Sequence, residues 1–467
     1  MDTKRNIVFA ISAVIITTIY LVLRLSFPET IEFSYDQPKT ANIIINFIKD
    51  GTYLTSQNYT QETIGGVVAW GPSLNYILAP FLMISKDPIF VSQLISIFNI
   101  LSIFVVMLIG YLFYNKRVAI ISGLTLATIP LWFIFSRMIY QPSLIPTFIS
   151  ISILLLFLSL QKLKSIWTIM LFLSWGILIQ MYLITYSFVI VSVLMFAYSI
   201  FKKTIPSKEI LIGILLNIVI FIPSIFYYIN RLDLIALIFT AEKSQIVTFG
   251  QILNNYINVL SGGGMKWQLG YAYQDFLIQY NISETYYSVA SFILFVPVIY
   301  TLFSLLRNRN MHTLILSLFL FSPLWALPLV GIEYMVPRYF LYILPAFAIM
   351  IGISFDLVIQ KFGKLLYLLP ISIFIFWLYE IYSYNSFVKT YTYDEGVLSS
   401  YSDVPYSFVV NSFEWINKNS KENNCENYEL SNVLNLAQSY YYQYNNKINN
   451  TADCLYTMEY KYSVVVG

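Results

Sequence analysis

The chain has 467 residues, of which 58% are hydrophobic and 11% charged. A soluble domain would carry about a quarter charged residues, so most of this chain is built to sit in lipid rather than water. A formal charge of +3 with no basic tract argues against a nucleic-acid partner, and one His with two Cys argues against a transition-metal site of the usual kind.

The first apolar run, residues 6–27, is long enough to span and has no small-residue cleavage site behind it, so it is read as a retained helix. With roughly 20 apolar residues per crossing, about 11 spans follow. They are 6–27, 88–114, 118–136, 142–161, 166–182, 184–201, 209–229, 286–306, 312–330, 338–359 and 365–384. The run 166–201 is too long for one helix and breaks near Gln180-Met181-Tyr182. Six basic clusters then fall on one side: Lys4/Arg5, Lys116/Arg117, Lys162/Lys164, Lys202/Lys203, Arg307/Arg309 and Lys361/Lys364. The positive-inside rule makes that side cytoplasmic and puts Asp36, the loops 28–87 and 230–285, and the C-terminal segment outside. The 39 Tyr and 36 Phe suit interfacial belts and a wide cavity open to water.

In the first outer loop, residues 38–50 have apolar positions at helical spacing after a Pro start, which predicts an amphipathic helix in the interface. The Gly and Pro of 64–72 predict tight turns before a stretch, 74–84, too short to span. It is expected as a re-entrant or interfacial piece buried against protein. The tail, 386–467, holds 5 Lys, no Arg and 9 Asp plus Glu, and is expected to form a small extracytoplasmic α+β domain. Its elements are expected at 408–417, 437–444 and 460–466. Cys425 and Cys454 both lie there and are candidates for a disulfide.

Asp36 stands just beyond the first span. As a carboxylate at the mouth of a membrane cavity it can act as general base, and as a residue just before a Pro-led helix it can cap it instead. Three basic residues sit at the outer interface against the charge trend: Lys39, Arg137 and Arg338. They either hold a phosphate at headgroup level or snorkel to lipid headgroups. Gln180 and Tyr182, at the turn of the 166–201 run, contact substrate or simply satisfy frayed backbone, the second being the plainer reading. Glu62 reads as a solvated loop carboxylate.

Taken in order, Tyr35-Asp36-Gln37, Ile64-Gly65-Gly66, Gly71-Pro72 through Tyr76 to Ala79-Pro80, Asp87-Pro88, Arg137 with Pro142-Ser143-Leu144, Gln180-x-Tyr182, Pro337-Arg338-Tyr339 and Pro345 resemble the GT-C membrane glycosyltransferases. The nearest resemblance is to the dolichyl-phosphate-mannose-protein mannosyltransferase-like group that includes the aminoarabinose transferase of lipid A. It implies an all-α polytopic fold over 1–385 and transfer of a hexose or pentose from a polyprenyl-phosphate donor. The acceptor would be protein, lipid or glycan, reached on the outer face of the plasma membrane by direct displacement with inversion. It implies Asp36 as catalytic base and Lys39, Arg137 and Arg338 as donor-phosphate ligands. Tyr35, Gln37, Gly71, Tyr76, Gln180, Tyr182 and Tyr339 would line the substrate cavity. No resident metal or other cofactor is assigned. Two departures stand out: Gln37 replaces a second acid, and Tyr182 stands where many relatives have His. A lipid or polysaccharide transporter is the alternative and would place ionisable residues deep in several spans; a lipid-linked glycan polymerase or ligase would share the donor class.

Overall fold

The computed structural model describes residues 2–33, 36–51, 60–61, 68–69, 71–161, 165–182, 184–201, 207–229, 247–308, 310–330, 335–390, 428–430 and 454–456. Helix α1 (Asp2–Leu25) leads through a 3-10 turn, Pro28–Thr30, to α2 (Asp36–Asp50). The two-residue strands β1 (Thr60–Gln61) and β2 (Val68–Ala69) pair antiparallel, and α3 (Ser73–Ile84) follows. Next come α4 (Pro88–Phe113), α5 (Lys116–Thr128) and α6 (Pro130–Phe135). The Asp87 carboxylate accepts from the Ile89 amide at 3.1 Å ahead of Pro88, and Asn115 accepts from the Arg117 and Val118 amides at 2.9 and 3.0 Å. Both are side-chain caps on otherwise unpaired first-turn donors. After a 3-10 turn at Gln141–Ser143 come α7 (Ile145–Leu160), α8 (Ser165–Met181), α9 (Thr185–Phe201) and α10 (Ser207–Ile229).

The second half opens with α11 (Phe249–Asn258), started by a Thr248/Gln251 capping box and ended by a π-helical turn, Val259–Gly263. Short helices α12 (Met265–Leu269) and α13 (Tyr273–Gln279) lead to the long α14 (Glu284–Asn308) and α15 (Met311–Val330). A 3-10 segment, Pro337–Ile343, runs straight into α16 (Leu344–Phe362), and α17 (Leu368–Thr390) closes the helical part. Far along the tail, β3 (Tyr428–Leu430) pairs in parallel with β4 (Cys454–Tyr456), Tyr428 opposite Cys454. Cys425 and the elements expected at 408–417, 437–444 and 460–466 lie outside the described residues.

Among the described residues, seven helical segments are long and apolar enough to cross a membrane, and four shorter apolar helices accompany them. Each expected span falls on one of these except 118–136. There the chain makes two helices, α5 and α6, because Pro130 has no N–H to continue the ladder and restarts it instead. The expected re-entrant piece is α3, and the last span runs on to Thr390 rather than ending near 384.

Helix α16 is the axis of the bundle. Every residue from 340 to 356 is buried, whereas α1 and α10 keep most of their apolar side chains on the outside, where lipid would cover them. Its contact with α5 is close: a Cβ on Gly352 would meet Ser122 Oγ at 2.3 Å and the Val118 carbonyl oxygen at 2.7 Å. Polar residues lock the two ends. At one, Asp356 accepts from Arg117 at 3.0 Å and from Asn115 and Gln360 at 2.6 Å each. At the other, Arg338 begins the 3-10 segment. The rise between Arg338 and Asp356 is roughly 30 Å, about the thickness of a bilayer core. Among the described residues, the buried charged groups within long spans include Arg24 and Glu380 besides Asp356. Arg24 donates to Ser136 Oγ at 2.7 Å and the Ala127 carbonyl at 3.0 Å, and Glu380 accepts from the Tyr287 hydroxyl at 2.9 Å. The spans are thus not charge-free, but each of these groups is bonded into the helix packing.

Candidate active site

The site is assembled from four distant pieces at the Arg338 end of the bundle. Asp36 is the first residue of α2, and its main-chain carbonyl accepts from Thr40 Oγ1 at 2.8 Å, the next turn of the helix. Pro38 is tolerated here because the first turn has no intrahelical partner for its missing N–H. Asp36 Oδ2 lies 3.5 Å from an Arg338 terminal nitrogen, with the two side chains 27% and 18% exposed. That exposure matters: the pair is open enough for a substrate to reach and covered enough for its charges to be felt.

Three tyrosines surround the guanidinium. Arg338 lies over the Tyr140 ring, 5.6 Å from its centroid, within cation–π range. Tyr182 and Tyr339 have ring centroids 6.4 Å apart, and both interact electrostatically with Arg338. Among the described residues, Arg338 Nε is buried without a hydrogen-bond acceptor. An unmet donor on a buried cation is costly, and an anionic oxygen is the group that would meet it.

Other sequence candidates are drawn into the frame of the site. Gln37 is 2% exposed: its Nε2 donates to the Glu32 carbonyl and its Oε1 accepts from the Ile139 amide at 2.8 Å. Arg137 is equally buried and donates to the Phe27 carbonyl at 3.1 Å and Thr30 Oγ1 at 3.3 Å, over the Phe133 ring at 4.3 Å. Burial draws its pKa down to about 10, which leaves it charged at neutral pH. Gln180 receives from Ser73 Oγ at 2.9 Å and donates to the Ile220 carbonyl at 2.9 Å, so it ties α3 to α10. Gly71 makes room for it: a Cβ there would lie 2.4 Å from Gln180 Cγ. Tyr76 packs edge-on to Phe47 at 5.3 Å and joins α2 to α3. Lys39 is half-buried on the turn after Asp36, and Tyr35 lies outside the described residues.

Sequence reasoning does not single out Tyr140 as a site residue. A tyrosine in a chain with 39 of them carries no signal until Arg338 is seen above its ring. Among the described residues no group of three or more His, Cys, Asp or Glu could hold a metal ion.

No protein-family model matches the chain, and no curated protein sequence does. Solved structures do. The chain is similar to ArnT from Cupriavidus metallidurans bound to undecaprenyl phosphate, with a TM-score of 0.50 and 12% identity over 76% of this chain and 61% of that one. The apo form of ArnT gives a TM-score of 0.50 at 13% identity, over 76% and 60%. The archaeal oligosaccharyltransferase AglB from Archaeoglobus fulgidus, in complex with an inhibitory peptide and a dolichol-phosphate, gives 0.49 at 14% identity over 96% and 60%, too low a score to carry weight. The chain spans about 60% of the length of these structures. At such identities the likeness speaks for the fold alone: this chain is a polytopic helical membrane protein with the GT-C fold of ArnT.

Proposed function

We propose that the protein is a glycosyltransferase that moves a sugar from a polyprenyl-phosphate donor to an acceptor at the Asp36 end of the bundle, on the extracytoplasmic side. The observation that carries this is the Asp36–Arg338 pair inside its tyrosine shell. One carboxylate and one covered cation are what such a transfer asks for. Asp36 takes the proton from the acceptor's hydroxyl or amine as that atom bonds to the anomeric carbon. The carbon–oxygen bond to phosphate breaks, and the polyprenyl phosphate leaves with one more negative charge. Arg338 meets that charge, with Nε as a ready donor. ArnT, whose fold this chain shares, is seen bound to undecaprenyl phosphate, which supports the donor class. The six basic clusters, and the pairing of Arg117 with Asp356 at the opposite end of α16, support the orientation.

Displacement from one face of a sugar needs the base and the leaving group on opposite sides of it. With a base-to-nucleophile contact of about 3 Å and a nucleophile-to-carbon approach of about 3–3.5 Å, a contact of 3.5 Å between Asp36 and Arg338 leaves no room for the ring. The donor phosphate therefore draws Arg338 off Asp36 as it binds. Lys39, one turn further along α2, is the second phosphate ligand. Arg137 is assigned to holding the Pro28–Thr30 turn beneath the site, because its guanidinium already donates to that turn.

The test is direct. Purified protein is incubated with a panel of undecaprenyl-phosphate hexoses and pentoses, and donor consumption is followed by mass spectrometry. One donor should be consumed by wild type. Asp36→Asn should lower turnover about 10²–10⁴-fold while folding and inserting normally. Near wild-type turnover by well-folded Asp36→Asn protein would end the assignment, since Asn caps a helix about as well as Asp does.

A further inference from the structure

Next to Asp36 on the first turn of α2, Gln37 is fixed by bonds of its own. The side chain is buried, and both halves of its amide are committed to main-chain groups from different parts of the chain. Nε2 donates to the carbonyl of Glu32, whose own carboxylate is bonded by Gln268 on α12. Oε1 accepts from the amide of Ile139, the residue just before Tyr140. The first turn of α2 is thereby pinned between the loop that precedes it and the segment that carries the aromatic wall of the site. None of these bonds involves Arg338.

We propose that Gln37 is the positioning residue of this site, holding Asp36 at a set place relative to Tyr140 while Arg338 is engaged by the donor; the catalytic half of this rests on Asp36 being the base. The chemistry explains why an amide stands here. One end must donate and the other must accept. An ionised carboxylate offers only acceptors, so it would keep the bond from Ile139 and set an anion against the Glu32 carbonyl. A protonated carboxyl would restore the donor. The substrate touches Asp36; Gln37 acts only through it.

Two variants of the full-length protein in nanodiscs test this. Gln37→Leu removes both bonds; Gln37→Glu keeps the shape and should fold where Leu does not. Hydrogen exchange at the Ile139 amide, read by mass spectrometry, should quicken about tenfold in Gln37→Leu. In Gln37→Glu at pH 8, turnover should fall about 10²-fold, the loss typical of a misplaced base. Affinity for undecaprenyl phosphate should stay within about threefold, because the phosphate is held by Arg338 and Lys39. Lowering the pH to 5.5 should narrow the Gln37→Glu deficit, measured against wild type at the same pH, and leave that of Gln37→Leu unchanged. The charged groups around Gln37, namely Glu32, Asp36, Lys39 and Arg338, are the same in both proteins, so the comparison cancels their effect. Unchanged exchange at Ile139 in Gln37→Leu, wild-type turnover in Gln37→Glu, or a loss confined to undecaprenyl phosphate affinity would each overturn the proposal. Asp36→Asn run alongside separates it from the parent reading: wild-type turnover there removes the base, whereas loss there with wild-type turnover in Gln37→Glu removes only the positioning role.

Discussion

Arg137 and Arg338 look alike in the sequence, each a lone basic residue at the outer edge of a span beside a Tyr and a Pro. In the fold they have different work. Arg137 is buried and gives a terminal nitrogen to the Phe27 carbonyl and Thr30, while Arg338 is partly exposed and gives one to Asp36; the Nε of each lacks an acceptor among the described residues. Their alanine variants should therefore fail differently. Arg338→Ala should weaken binding of undecaprenyl phosphate by about tenfold or more with little change in unfolding temperature. Arg338→Lys should recover only part of it, since a point charge replaces a planar fork. Arg137→Ala should leave phosphate affinity near wild type and lower stability by about 1–3 kcal/mol, because the Phe27 carbonyl and Thr30 Oγ1 each lose a charged donor and the space it filled opens beside Phe133. Titration with undecaprenyl phosphate and thermal unfolding in detergent separate the two. An Arg137→Ala protein of normal stability that no longer binds the lipid phosphate would return Arg137 to the donor site. The sequence could nominate both residues as cations out of place, but only their burial and partners divide the roles.

At the scale of elements, the bundle is held at its far end by Asp356, which gathers Arg117, Asn115 and Gln360 onto one carboxylate. The Arg117 side chain is 50% exposed and Asp356 5%. The two halves of the pair are thus unequal. Arg117→Ala should cost about 1 kcal/mol or less, as water replaces the half-exposed partner. Asp356→Ala strips three donors at once and should cost about 1–3 kcal/mol. Thermal unfolding of the two variants reads the order, and an equal loss would mean the contact is not shared in this way. Single helices were largely legible from their apolar runs, since a length of about 20 such residues has few other uses. Where the reading slipped, a local feature interrupted the pattern without changing the composition. Pro130 divides 118–136 into α5 and α6 inside an unbroken apolar run.

For the whole molecule, the claim with most consequence is its orientation. A single cysteine placed at the C-terminus should be labelled by an impermeant maleimide in intact cells, as should one placed between residues 52 and 59. Labelling only after lysis would invert the protein and move Asp36 to the side that lacks lipid-linked sugars as we have assigned them. The sites for this test follow from the charge clusters, whose logic needs only the sequence: the two faces of a membrane differ in how readily Lys and Arg cross.

That logic marks what the sequence determined by itself. A chain 58% apolar and 11% charged must put its backbone into helices, because lipid offers no partner for a bare N–H or C=O. The order and approximate bounds of most long apolar helices then follow, as do the amphipathic α2 and the carboxylate at its start, whereas the break at Pro130 and the short helices α11 to α13 do not. What the tertiary structure decided is which polar residues meet. Asp36 and Arg338 are 302 positions apart, and Gln37 Oε1 accepts from the amide of Ile139, 102 positions away. No periodicity spans such distances. These contacts depend on how α16 seats against α5 and how the first loop folds back onto it, and both are settled by the fit of many buried side chains rather than by any local pattern.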